Sequence, residues 1–142
     1  MKRILVATDG SDGGDRAVAF AAELAKQFGA KLSIITVSGD FSDREIDKLA
    51  FSEKDIAGAL DSRATRILID ARECAQHIGV NDIDTHSAWG DPAETIIETA
   101  TRIRADAIDV GRRGRGQLAG LLLGSVSQKV ATLAPCAVMV VP

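Results

Sequence analysis

Ile4-Leu5-Val6-Ala7-Thr8-Asp9-Gly10 is the stretch that decides the fold class. Four apolar residues run together without polar alternation, which suits a strand covered on both faces, and Thr-Asp-Gly then stops it. A helix should follow, because Ala17, Val18, Ala21, Leu24, Ala25 and Phe28 recur at helical spacing after Asp12, with Gly29 as the stop. A buried strand that turns at once into an amphipathic helix is the opening unit of a parallel sheet.

The same alternation continues outward. Residues 31–37 are rich in β-branched side chains and read as a second strand. Ser38 to Ser52 is polar and mixed, an irregular or short helical segment that reads as an insertion rather than a lid. Ile56, Leu60, Ala64, Ile67, Leu68, Ala71, Ala75 and Ile78 then mark one long helix ending near Gly79. Residues 83–88 alternate apolar and polar side chains, as expected of a third strand near a sheet edge. Asp91-Pro92-Ala93-Glu94 is a helix start, with Asp91 as cap, Pro92 in the first turn and Glu94 as the capping-box partner. That helix runs to about Arg104. Residues 107–110 form strand four, Ser125 to Ala134 the last helix before Pro135, and Ala137 to Val141 strand five. Repeated strand and helix require crossover connections, hence an α/β fold: one open parallel sheet over residues 1–142 with helices on both faces. Ligands of such sheets collect beyond the carboxyl ends of the strands, where the loops 8–14 and 111–127 are expected to meet.

Composition limits the function classes. At 142 residues the chain is one domain's worth, with 46% apolar and 26% charged residues. Its net charge of -3 gives no general attraction for nucleic acid, so any basic patch must be local. Cys74 and Cys136 lack metal or redox-pair spacing and read as buried thiols. His77 and His86 fall on different elements without a ligand pattern around them. No run approaches the ~18 apolar residues of a membrane span, and the apolar start lacks the form of a secretory signal, so no membrane insertion and a cytoplasmic location are expected.

The chemistry concentrates in residues 111–127, Gly-Arg-Arg-Gly-Arg-Gly-Gln-Leu-Ala-Gly-Leu-Leu-Leu-Gly-Ser-Val-Ser. Glycines admit close approach of an anion, and the free amides of Ser125, Val126 and Ser127 at a helix start can donate to phosphate oxygens. Arg112, Arg113 and Arg115 supply positive charge or serve as a solvated cluster. By its residues alone the stretch reads equally as a phosphate loop or as an ordinary strand-to-helix turn. It is not a P-loop, since Gln117 stands where the lysine belongs, and Gly114-x-Gly116-x-x-Ala119 lacks the acidic ribose partner of a dinucleotide fingerprint.

The spacing Gly111-x2-Gly114-x9-Gly124-Ser125, followed by Val126-Ser127-Gln128-Lys129-Val130, resembles the nucleotide motif of the universal stress protein family, ATP-binding type, and the resemblance extends over nearly the whole chain. It implies the strand order 3-2-1-4-5. It also implies that Ala7, Thr8 and Asp9 lie by adenine and ribose and that Val37 borders adenine. Gly111, Arg113, Gly114, Gly124, Ser125, Val126 and Ser127 would then surround ribose and phosphates. ATP with Mg2+ is the cofactor so implied, and a homodimer through strand five the assembly, consistent with the unpaired apolar edge of Met139-Val140-Val141.

Two departures stand out. Asp109 places an acid inside an interior strand, where it is expected to meet a nearby arginine or lysine; a catalytic acid is the lesser reading. Arg112 replaces a small residue beside the ribose position, and either strengthens phosphate binding or obstructs the pocket. The bland reading of Asp9 is a turn residue capping the first helix. Trp89 reads as a packing anchor, and the leucines of residues 118–123 as core. No Ser, His and acid arrangement identifies a hydrolase. The expected function is an ATP-binding stress or regulatory protein with slow or absent hydrolysis, and a protein partner as its output. The competing expectation is a dimeric stress-response adaptor that does not bind nucleotide.

Overall fold

The computed structural model describes residues 1–39, 53–112 and 123–142. Strands β1 (Arg3–Ala7), β2 (Lys31–Ser38), β3 (Ile83–Trp89), β4 (Ala107–Gly111) and β5 (Ala137–Val141) alternate with helices. These are α1 (Asp12–Phe28), α2 (Glu53–Ile78), α3 (Pro92–Ile103) and α4 (Ser125–Leu133). All neighbouring strands are parallel, in the order β3-β2-β1-β4-β5. The expected element order, strand order and class all appear, and the segment 38–52 lies, from residue 40 onward, outside the described residues.

Burial explains the assignment of each strand. Ile4, Leu5 and Val6 of β1 and Ile108 and Val110 of β4 are buried, as interior strands between two helical layers must be. β3 has one neighbour and is mostly exposed, with Ile83 buried and His86 and Ala88 half-buried, which is the edge character read from its sequence. On one face Ile4, Val6, Leu32 and Ile34 pack with Ala17, Ala21 and Ala25 of α1 and with Leu68, Ala71 and Ala75 of α2. On the other, Leu5, Ile35, Ile108 and Val110 pack with Ala93, Ile96 and Ala100 of α3 and Val130 of α4. Small side chains on α1 let that helix lie close to the strands.

The winding changes direction at the centre. From β1 the chain steps outward through β2 to β3, then α3 carries it back to β4 on the other side of β1. The crevice beyond the carboxyl ends of β1 and β4 is therefore the switch point at which such sheets hold ligands.

Three local expectations change. Asp91 does cap α3, its carboxylate accepting the amide of Glu94 at 2.9 Å with Pro92 in the first turn. The reciprocal half of the capping box is not made, because the Glu94 carboxylate instead accepts from Lys129 of α4 at 3.4 Å. Trp89 is 53% exposed at the end of an edge strand and is no packing anchor. Cys74 and Cys136 are free and only half-buried, each thiol pushed up chiefly by burial.

Candidate functional site

Register places the two distant turns level with each other. Val6 of β1 pairs with Asp109 of β4, so Thr8 and Gly111, each two residues further along its chain, reach the same rim. Val37, two residues beyond the Ile35 that pairs with Ala7, extends past β1 along that rim.

Thr8 fixes the first turn. Its amide donates to the Ile35 carbonyl at 3.0 Å, and its hydroxyl accepts the amide of Gly10 at 3.2 Å. Asp9 accepts the amide of Ser11 at 2.9 Å, an Asx-type turn, so it is a turn residue as its bland reading holds. It does not cap the helix: the N-cap of α1 is Ser11, whose hydroxyl accepts the amide of Gly14 at 3.1 Å.

The second turn is pressed against the first. A Cβ built on Gly111 would lie 2.9 Å from the carbonyl oxygen of Gly13 and 3.0 Å from its carbon. One on Gly14 would lie 2.5 Å from the Thr8 hydroxyl and 3.1 Å from the Asp9 carboxylate. The end of β4 thus approaches the first turn of α1 to a distance that excludes a side chain at Gly111, and the turn after β1 does the same at Gly14. Gly13 and Gly14 were not singled out by sequence reasoning, although two glycines inside a helix start, where glycine is costly, are a readable cue.

Beyond Gly111 the chain is anchored by its backbone. The Arg112 amide donates to the Val141 carbonyl at 2.7 Å, and the Arg112 carbonyl accepts the Gly124 amide at 2.8 Å. The Ser127 hydroxyl, 3% exposed, lies 3.0 Å from both the Arg112 and Gly124 carbonyls and donates into that pair. Ser127 is therefore a latch that closes the loop at its base. The side chain of Arg112 is exposed. Gly124 is the N-cap of α4 and makes no side-chain cap bond, and the first turn of α4 carries no acid. Neither Gly111 nor Gly124 has positive φ, so it is smallness that matters at Gly111 rather than conformational freedom. Arg113 and Gly114 lie outside the described residues, as do Arg115 and the leucines of residues 118–122.

Asp109 sits directly behind this rim. Ile108 and Val110 face α3 and α4, so strand alternation turns Asp109 toward α1, whose buried face is glycine, alanine and Val18. It is 0% exposed, and neither carboxylate oxygen has a hydrogen-bond partner among the described residues. The expected arginine or lysine is absent from them. Burial alone pushes this carboxyl up to about 7.

The described residues bring together Ala7, Thr8, Asp9, Val37, Gly111, Arg112, Gly124, Ser125, Val126 and Ser127 at one end of one sheet. They hold no group of three or more His, Cys, Asp or Glu side chains arranged for a metal ion. No helix among them is long and apolar enough to cross a membrane.

Known proteins share this architecture. The model of the universal stress protein family matches residues 1–142. A universal stress protein of Thermus aquaticus is 38% identical over 140 residues, covering 99% of this chain and 98% of the relative. The crystal structure of a universal stress protein in complex with cAMP is 31% identical with a TM-score of 0.77, covering 99% of this chain and 95% of that one. The Archaeoglobus fulgidus universal stress protein in complex with dAMP shares the fold, with a TM-score of 0.73 at 24% identity, covering 100% and 98% of the two chains. A full-length family match, a relative aligned almost end to end and a common strand order agree that this chain belongs to the universal stress protein family.

Proposed function

We propose that this chain binds an adenine nucleotide at the carboxyl rim of its sheet and works as a stress-response or regulatory protein through occupancy of that site. The observation that carries the reading is the contact of Gly111 with the Gly13 backbone, which sets the β1 turn beside an α4 start that has no cap of its own. On this reading Ala7, Thr8, Asp9 and Val37 border base and ribose. Gly111, Arg112, Arg113, Gly114, Gly124, Ser125 and Val126 surround the phosphates, whose oxygens take the free amides and the positive end of the helix dipole. Ser127 holds the loop closed. The family relative bound to cAMP supports an adenine nucleotide as the ligand class.

ATP is the nucleotide we favour. A magnesium ion would be held mainly by the phosphates, with Asp9 the nearest acid at the rim, and would neutralise adjacent oxygens. Hydrolysis is slow or absent, because the residues at the rim supply contacts but no evident base to activate water. Occupancy switches the protein only to the extent that the two loop arrangements differ in nucleotide affinity. We also propose a cytoplasmic homodimer through β5, an edge strand whose Val138, Met139, Val140 and Val141 are all half-exposed.

The test is release of ligand from freshly purified protein, identification by mass spectrometry, and titration with ATP, AMP and cAMP, alongside light scattering for the dimer. An adenine nucleotide in the released fraction and saturable binding are expected. Repeated absence of ligand together with no binding in titration overturns the nucleotide reading in favour of a nucleotide-free adaptor, and a concentration-independent monomer removes the dimer.

A further inference from the structure

At the opposite rim, where the strands begin, the topology gathers a second set of charges. Arg3 opens β1 and pairs in register with Lys31, which opens β2, while Ser33 pairs with Asp84 of β3. The end of α3 brings Arg102 and Arg104 to the same place, and these six residues line a cavity of about 350 Å³. In a chain of net charge -3, four cations and one acid line one hollow.

The acids nearby are already engaged. Asp84 takes the Lys31 ammonium at 3.0 Å, with Asp82 at 3.9 Å, and Asp106 accepts the amides of Lys2 and Arg3 at 2.7 and 2.9 Å. Arg3, Arg102 and Arg104 make no side-chain hydrogen bond or ion pair with any described residue. Three guanidinium forks without acceptors among the described residues surround an open volume.

Two further features point into this region. Arg104 adopts φ 55, the one non-glycine at positive φ among the described residues, at a helix end where α1 and α2 are followed by Gly29 and Gly79. Glycine takes that conformation freely and arginine does not, so its side chain is the reason to look for a role. His86 lies two residues beyond Asp84 on the same strand face, and its Nε2 is buried without a partner. Burial, then Arg102, hold its imidazole below the ordinary range; Asp84 opposes them and Lys31 adds to them.

We propose that this cavity is a second anion site, taking an oligophosphate group through Arg3, Arg102 and Arg104. Planar guanidinium forks match phosphate oxygens in bidentate fashion, and a volume of this size accommodates two or three phosphates. The site is at the far end of the sheet from the adenine cradle and does not depend on it.

Because the chain has two histidines, proton NMR of the imidazole C2–H resonances reads the site directly, with exposed His77 as internal reference. Inorganic triphosphate at constant ionic strength should raise the His86 titration midpoint by about 0.5 or more and saturate, leaving His77 unmoved. Arg104→Gly should keep or raise the melting temperature and weaken triphosphate binding about tenfold, as should Arg102→Gln. ATP binding here more tightly than inorganic triphosphate identifies a nucleotide tail as the source; equal binding identifies free oligophosphate. The proposal is overturned if both histidines move together, if sulfate at matched ionic strength gives the same response, or if both arginine variants keep full affinity.

Discussion

Helices α1 and α4 start beyond neighbouring strands with the same backbone and opposite chemistry. The N-cap of α1, Ser11, has φ -74 and ψ 166; the N-cap of α4, Gly124, has φ -71 and ψ 165. Ser11 fills the helix start with its hydroxyl, and Asp12 and Asp15 add negative charge to the first turn. At Gly124 there is no side chain to accept an amide and no acid follows. Any residue can adopt that conformation, so glycine is not needed there for its freedom. One helix start is capped from within the chain and the other has no side-chain cap, and on the proposed reading that difference puts the phosphates at α4 rather than α1.

The strands feeding the two helices sharpen the contrast, and there the largest effect is expected. β1 sends only apolar side chains into the interior, whereas β4 carries Asp109, 0% exposed and without a partner among the described residues. A carboxyl moved from 3.8 to about 7 by burial binds its proton more tightly in the folded chain than in the unfolded one. Its favourable contribution is thus complete below pH 3.8, declines as pH rises toward 7, and is lost above that. At about 1.4 kcal/mol per pH unit the full loss is on the order of 4–5 kcal/mol as an upper bound. Asp109→Val should therefore raise stability by roughly 2–4 kcal/mol at pH 7.5, with little gain at pH 4, in denaturant unfolding followed across that range. A variant that is less stable than the parent at pH 7.5 would mean that the carboxylate has a stabilising partner.

Coupling of the two turns is broken next. Gly111→Ala puts a methyl group 2.9 Å from the Gly13 carbonyl oxygen, and both clashing atoms are backbone, which cannot rotate away. We expect a loss of about 1–3 kcal/mol in stability and a fall of about tenfold in adenine nucleotide affinity by calorimetry, since the rim must open to admit the methyl group. Unchanged binding in a stable Gly111→Ala protein would separate the turns and remove the shared cradle.

These sites were unequally legible in the sequence. The apolar run of β1, the helical stripes and the Asp91-Pro92 start are local patterns, and each produced the expected element because period and capping act over a few residues. The meeting of the loop 8–14 with Gly111 was also accessible, since alternating strands and helices restrict the topology to few choices. What lay beyond reach depends on contacts distant in sequence. Gly13 matters because Gly111 of β4 is laid against it, Gly14 because Thr8 and Asp9 fold back onto it, Ser127 latches a carbonyl fifteen residues earlier, and Glu94 turns from its own helix start to Lys129. Asp109 was recognised as anomalous, but its environment could not be read from its neighbours along the strand, which are all apolar or glycine.

The smallest change in stability gives the most specific test of the contrast between helix starts. Gly124→Asp gives α4 a carboxylate cap on a backbone whose φ and ψ already match those of Ser11, so no backbone strain is introduced. Glycine is itself a tolerable N-cap, and the gain should be only a few tenths of a kcal/mol, with a similar increment from the helix dipole. Its effect on ligand should be far larger than its effect on folding. The new carboxylate would take the amides proposed for phosphate and repel it, lowering nucleotide affinity by at least about tenfold. Ser11→Ala is the opposite control: it removes a cap and costs about 1 kcal/mol of stability, with nucleotide affinity retained. If calorimetry instead finds Gly124→Asp binding as well as the parent, phosphate is not held at α4, and the difference between the two helix starts is one of structure alone.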